Sequence, residues 1–178
     1  MRHVSTRHEQ GAGYAADGYA RTTGRVGVAI VTSGPALLNA ATAVGQAYSD
    51  SVPILVVSPG LPLRHPATGN GLLHETRDQS AALAAVAAAS LRPTSVAEIP
   101  TAVAQAFSIM TSGRPRPVHL EVPLDVLEET ADVVLVAPVV AAPSAAPAGS
   151  IAAAAGLLDG ATAPLLVVGG GARGAAPQ

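Results

Sequence analysis

The chain has 178 residues with a formal net charge of −2; 49% of them are hydrophobic and 12% are charged. This composition is too apolar for a disordered chain, and it lacks the basic excess that a nucleic-acid-binding surface needs. Cysteine is absent, which excludes disulfides, thiolate metal sites and cysteine nucleophiles.

The sequence contains no targeting or membrane-spanning segment that can be recognised. It opens on MRHVSTRHEQ, without the apolar core of a signal peptide, and no stretch reaches the ~18 apolar residues of a membrane span. We therefore expect a cytoplasmic protein that binds neither membrane nor nucleic acid.

The first half of the chain predicts alternating helices and strands. A helix is predicted over Glu9–Thr23, stopped by Gly24. The following segments predict a buried strand, a helix and a second buried strand: Arg25–Val31, Ala36–Tyr48 and Val52–Ser58.

A long polar loop is predicted over residues 59–80, and loops of this length often carry function. Residues 79–90 are dense in Ala and predict a helix, and Pro117–Val122 predicts a third strand. Because the strand segments are continuously apolar, we expect a parallel α/β sheet with helices on both faces.

One further helix carries end signals on both sides. It is predicted over Ala97–Met110, with a capping box from Ser95 to Glu98 at its start and Gly113 as its C-terminal cap.

The composition changes after about residue 130. We expect a first domain over residues 1–130 and a Pro/Ala linker over residues 131–149. A second α/β domain is expected to begin in residues 150–178, with a helix over Ile151–Asp159 and a strand over Pro164–Val168.

Four features could carry chemistry. Glu9 opens a helix, and Thr32–Pro35 lies where a buried strand meets a helix, the usual ligand edge of an α/β sheet. His74 and Glu75 lie in the long loop, and GGGARG at residues 169–174 fits the G-x-G-x-x-G pattern. Each feature also has a structural interpretation. Glu9 could cap or complement the positive end of its helix, and the other three features could be an ordinary turn, a solvated loop and a Gly-rich turn, respectively.

A long stretch of the sequence resembles a known family. RHEQGAGYAADGYARTTGRVGVAIVTSGPALLNAATAVGQAYSDSVPILVVS and GRPRPVHLEVPLDV, between Arg7 and Val126, resemble the pyrimidine-binding domain of thiamine-diphosphate enzymes of the acetolactate synthase family. Residues 164–171 resemble the opening of that family's central domain. The resemblance implies the same parallel α/β fold, here without its first βα unit.

The resemblance implies a role for each matching residue. Glu9 corresponds to the catalytic glutamate, which hydrogen-bonds N1′ of the cofactor's aminopyrimidine and promotes loss of the thiazolium C2 proton. A 2-oxo acid then reacts and is decarboxylated. Gly34 and Pro35 form the turn that lies against the pyrimidine, and Asn39 matches in the helix that follows.

Two positions depart from acetolactate synthases, and they concern the substrate. Those enzymes have Gly where Ala36 stands, and Gln rather than His74 before Glu75. The segments GLLHETRDQ and RPRPVHLEVPLDVL resemble instead the 5-guanidino-2-oxopentanoate decarboxylase branch. We expect a cationic substrate of that kind to need carboxylates, for which Glu75 and Asp78 are candidates.

The resemblance also implies groups held outside these residues. The family binds Mg²⁺ and the diphosphate in a C-terminal domain through Gly-Asp-Gly, which this sequence does not contain, so no metal ligand is predicted here. FAD, which acetolactate synthases carry on the central domain, stays open. We expect a dimer or tetramer with its active site at a subunit interface, and a fragment that alone binds the cofactor weakly and is inactive.

Three alternatives remain. A non-catalytic interaction module could keep this fold, an acetolactate synthase could condense two 2-oxo acids, and GGGARG could mark a dinucleotide-binding domain.

Overall fold

The computed structural model describes residues 3–64, 69–142 and 145–175. Residues 65–68 of the predicted loop, among them Pro66, lie outside the described residues. The chain divides into two compact units, Met1–Ala141 and Ala142–Gln178. The division falls within the segment predicted as a linker.

The first unit is built on a four-stranded, entirely parallel sheet. Its strands are β1 (Gly27–Ile30), β2 (Ile54–Gly60), β3 (Ala89–Leu91) and β4 (Val118–Pro123), in the order β1-β2-β4-β3. The last strand in sequence therefore lies inside the sheet, between β2 and β3. The α/β class and the parallel sheet predicted from the sequence are confirmed.

Helices cover both faces of this sheet. In chain order they are α1 (Glu9–Thr23), α2 (Pro35–Asp50), α3 (Gln79–Ala84), α4 (Ile99–Thr111) and α5 (Leu124–Glu128). Packed on one face are mainly small side chains of α1 and α2, with Leu37 and Val44 fully buried against Ile54. On the other face Met110 of α4 packs against Leu55. Alternate residues of β2 thus serve two separate cores, as a central parallel strand requires.

The edge strand and the Ala-rich segment differ from expectation. On β1, Val28 and Ile30 are exposed, so the prediction that both faces are covered is wrong there. The helix predicted over residues 79–90 ends at Ala84, and Ala89–Leu91 forms β3. The high helix propensity of Ala is overridden because these residues pair with β4.

The predicted capping box is displaced by one residue. Ser95 makes no side-chain cap; instead Glu98 Oε2 accepts hydrogen bonds from the backbone N–H and hydroxyl of Thr94, at 2.7 and 2.9 Å. A 3₁₀ turn over Val96–Glu98 leads into α4. Beyond the other end of this helix, Gly113 has a φ of +81°, a left-handed conformation typical of glycine after a helix.

The second unit contains α6 (Ala148–Asp159), which begins inside the predicted linker. Pro164–Val168 is not a strand, so that prediction is wrong: the segment has no strand to pair with among the described residues, and Leu165 and Val167 are exposed. The GGGARG segment enters a 3₁₀ helix over Gly170–Ala175.

Candidate functional site

Glu9 is the first residue of α1, but it is not the cap of that helix. His8 is the cap, since its Nδ1 accepts a hydrogen bond from the backbone N–H of Gln10 at 3.2 Å. The Glu9 side chain reaches α2, where Asn39 Nδ2 donates to Glu9 Oε2 over 3.0 Å. Glu9 therefore does not cap the helix, but as the first residue of α1 it lies at the positive helix end, and its carboxylate also joins α1 to α2.

The charge state of Glu9 follows from its neighbours. The Asn39 amide is the first cause that lowers the pKa of Glu9 below its ordinary value, and the backbone N–H of Glu9 is the second. Burial raises the pKa of this carboxyl by less than these hydrogen bonds lower it, and the electrostatic effect of His8 and His74, which also lowers it, is smaller still. Glu9 is therefore an anionic hydrogen-bond acceptor at neutral pH.

The turn before α2 has a backbone conformation that depends on glycine. Gly34 has φ 60° and ψ −122°, and Pro35 begins the helix. A Cβ at Gly34 would lie 2.2 Å from the carbonyl oxygen of His74. Because Gly34 has no side chain, the main chain of the long loop approaches it closely at His74.

The loop over the Gly34 turn is held by its own carboxylates. His74 itself has a positive φ of 61°, unusual for a residue with a side chain. Glu75 accepts hydrogen bonds from the backbone N–H groups of Gly69 and Gly71, at 2.5 and 3.2 Å. Asp78 accepts one from the N–H of Ala81 and so caps α3. Both carboxylates considered for a cationic substrate thus bind backbone N–H groups.

Most of the predicted site residues lie together. Glu9 meets Asn39 directly, His74 lies against Gly34 and influences Glu9 electrostatically, and Pro35 starts the helix that carries Asn39. Glu75 follows His74 but stabilises the loop.

A buried polar network, which the sequence did not predict, lies behind this turn. Gln79 accepts a hydrogen bond from the N–H of Gly34 at 2.8 Å. Ser58 lies 2.9 Å from one ring nitrogen of His119, and Ser90 lies 2.7 Å from the other. Burial lowers the pKa of His119 to about 4, so its ring is neutral at neutral pH. A His within the predicted strand PVHLEV was the signal available in the sequence.

A second polar cluster lies at the carboxyl ends of β2 and β4. Glu121 is buried; it pairs with Arg92 at 2.9 Å and accepts a hydrogen bond from the Ser80 hydroxyl at 2.5 Å. A Cβ at Gly60 would lie 2.1 Å from the Glu121 carboxylate. An open groove of about 310 Å³ lies beside this cluster; its charged lining residues are Arg77, Asp78, Arg92 and Glu121.

The part of the chain that contains the Gly34 turn matches a known protein family. Residues 1–82 match the family described as "Thiamine pyrophosphate enzyme, N-terminal TPP binding domain". This region of the chain belongs to that family. The match contains Glu9, Gly34, Asn39, His74 and Gln79, which are the residues that meet around the Gly34 turn.

Individual relatives of this chain carry the names of a decarboxylase and of acetolactate synthases. The chain is 47% identical to "Probable 2-ketoarginine decarboxylase AruI" of Pseudomonas aeruginosa, over 98% of this chain and 32% of that protein. It is 40% identical to "Acetolactate synthase large subunit" of Parasynechococcus marenigrum, over 97% of this chain and 28% of that protein. The corresponding subunit of Corynebacterium glutamicum is 39% identical, over 96% and 28%. The chain thus spans about a third of the length of these curated relatives.

Among the described residues, no group of three His, Asp or Glu side chains is placed to hold a metal ion. None of the helices in the described ranges is both long and apolar enough to cross a membrane.

Proposed function

We propose that these residues supply the pyrimidine-binding half of a thiamine diphosphate site in an enzyme that decarboxylates a 2-oxo acid. The observation that carries this proposal is the Asn39–Glu9 hydrogen bond of 3.0 Å. It brings a carboxylate from the start of α1 to the Gly34 turn at the start of α2. The Glu9 carboxylate fits an aminopyrimidine, because an anionic carboxylate accepts a hydrogen bond from a protonated ring nitrogen.

The residues of the chain divide the work as follows. Glu9 binds N1′ of the pyrimidine and exchanges a proton with it, while Asn39 keeps the carboxylate oriented. Gly34 and Pro35 form a turn whose one side chain is the compact ring of Pro35. The flat pyrimidine ring can therefore lie against this turn. When bound, thiamine diphosphate supplies the electron sink for decarboxylation. We propose that Mg²⁺ and the diphosphate are held by residues outside those described and that the active site forms between subunits.

The substrate we propose is 5-guanidino-2-oxopentanoate. Its support is the 47% identity to the 2-ketoarginine decarboxylase together with the GLLHETRDQ segment. Glu75 and Asp78, which accept backbone hydrogen bonds, are the acidic side chains that we propose for its guanidinium group. The second candidate is condensation of two 2-oxo acids, which the identities of 40% and 39% to acetolactate synthase subunits support.

The test uses the full-length protein that carries these residues. Glu9→Gln keeps the shape of the side chain but cannot exchange a proton, so we expect kcat to fall by about a hundredfold or more. Glu129→Gln, on an exposed residue beyond α5, is the matched control and keeps full activity. Carbon dioxide release is followed with 5-guanidino-2-oxopentanoate and with pyruvate, and the products are analysed for acetolactate.

Three results would count against these assignments. Activity of Glu9→Gln equal to that of the control excludes the proposed role of Glu9. Turnover of pyruvate without turnover of 5-guanidino-2-oxopentanoate excludes the proposed substrate, and accumulation of acetolactate then supports the condensing function. A purified full-length protein that binds no thiamine diphosphate overturns the whole proposal in favour of an interaction module.

A further inference from the structure

Gln79 links the Gly34 turn to the interior of the sheet. Its side chain is largely buried, with a residue exposure of 6%. Oε1 accepts a hydrogen bond from the N–H of Gly34 at 2.8 Å, and Nε2 donates to the carbonyl of Pro59 at 2.8 Å. A backbone N–H can only donate and a carbonyl can only accept, so both ends of the amide are assigned by their partners.

The orientation of Gln79 propagates into the sheet. Its Nε2 also lies 3.5 Å from Ser58 Oγ, which therefore accepts. The Ser58 hydroxyl can then donate to Nε2 of His119 at 2.9 Å. A neutral His119 carries its proton on Nδ1 and donates it to Ser90 Oγ at 2.7 Å. With these assignments the four side chains form a chain of hydrogen bonds in a single direction that begins at the Gln79 amide.

The turn that Gln79 holds needs an anchor. The φ and ψ of Gly34 lie outside the helical region, and Pro35 has no N–H to donate. Gln79 begins α3 directly after the loop whose His74 main chain covers Gly34. One side chain therefore ties together the loop, the turn and the end of β2, and Asn39 lies one helical turn beyond.

We propose that Gln79 is a positioning residue for the cofactor, holding the Gly34 turn through its two amide hydrogen bonds in the place where the pyrimidine binds. This inference rests on the proposed function. Gln79 acts through the turn and touches no reacting atom, so its loss weakens cofactor binding more than it slows turnover at saturating cofactor.

The test compares two variants in the full-length protein. Gln79→Met keeps the volume and loses both hydrogen bonds, so the Kd of thiamine diphosphate rises by about fivefold to tenfold. Gln79→Glu keeps the acceptor for Gly34, and its carboxyl donates to Pro59 only when protonated. The ratio of its Kd to the wild-type Kd therefore falls as the pH is lowered from about 8 to about 6, whereas the ratio for Gln79→Met stays constant. Gln105→Met, on the exposed side of α4, is the control and leaves the Kd unchanged.

Calorimetric titration gives each Kd, and the Tm without cofactor and kcat at saturating cofactor are measured beside it. A wild-type Kd in Gln79→Met, or a Gln79→Glu ratio that does not change with pH, overturns the positioning role. If Gln79→Met does not fold, the pH dependence of Gln79→Glu decides alone. A wild-type protein that binds no thiamine diphosphate overturns the proposed function and this role with it, a result distinct from the others.

Discussion

The contact between α1 and α2 at Gly13 allows a quantitative prediction. These helices carry Glu9 and Asn39, and a Cβ added at Gly13 would lie 2.6 Å from the Cβ of Ala43. Ordinary contact between carbons is about 3.5–4.0 Å, so in Gly13→Ala the helices must separate by about 1 Å. Overpacking by one methyl group costs about 1–3 kcal/mol. The higher helix propensity of Ala offsets about 0.8–1.0 kcal/mol of this cost.

Gly18 supplies the matched control on the same helix. Nothing lies within 4 Å of a Cβ at this position, so Gly18→Ala gains the propensity without a clash. We expect Gly13→Ala to be less stable than Gly18→Ala by about 1–3 kcal/mol, or about 2–4 °C in Tm per kcal/mol for a domain of this size. Adding Ala43→Gly to Gly13→Ala removes the clash, so a double-mutant cycle should show a favourable coupling of the same magnitude.

Circular dichroism during thermal unfolding measures these differences. Calorimetric titration of the full-length protein with thiamine diphosphate shows whether separating the helices weakens the proposed Glu9 site. We expect the Kd to rise in Gly13→Ala and to recover in the double variant. Equal Tm values for Gly13→Ala and Gly18→Ala, together with zero coupling to Ala43→Gly, would refute the close packing of these helices and its proposed effect on the site.

Two further predictions concern stability. The pKa of His119 falls from 6.5 to about 4 on folding, so the neutral ring contributes up to about 3 kcal/mol to the free energy of unfolding. This contribution is complete above pH 6.5 and is lost as the pH falls towards 4. In His119→Gln the denaturation midpoint should depend less on pH over this range, and an unchanged pH dependence would contradict a buried neutral ring. The Arg116 guanidinium lies 4.1 Å from the centre of the Tyr48 ring and donates a hydrogen bond to the Tyr48 carbonyl at the end of α2. Because both contacts are lost in Arg116→Ala, this variant should have a free energy of unfolding that is lower by about 1 kcal/mol. Tyr48→Phe, which keeps the ring, should not lower it, and equal stability of Arg116→Ala and wild type in urea would argue against the contact.

Local signals predicted the first elements well. The helix over Glu9–Thr23 has the predicted bounds, because a residue that stops helices follows it and small residues face the core. β3 was missed because Ala-rich sequence favours helix whereas strand pairing is decided by a neighbour far along the chain. Pro164–Val168 shows the converse: its apolar residues suit a strand, but a strand requires a partner.

The candidate site was predictable where chemistry follows from single residue types and from family resemblance. Glu9, Gly34 and Asn39 were selected in this way, and the structure places Glu9 beside Asn39. Gln79 was not selected, because a Gln at the end of a polar loop looks like any solvated residue. Its role depends on Gly34 and Pro59, which are 45 and 20 residues away, and a single sequence contains no signal for such partners.

The position of β4 has a consequence for how the chain acquires its fold during synthesis. A ribosome delivers β1, β2 and β3 first, yet β2 and β3 are joined only through β4. Until residue 123 has emerged, β2 and β3 have no strand between them, and the edges that later pair with β4 stay unpaired. Long-range parallel pairing of this kind slows folding and exposes the nascent chain to aggregation. The region matched by the family, residues 1–82, ends before that final insertion, so the smallest segment that can close this sheet is longer than the region by which its family is recognised.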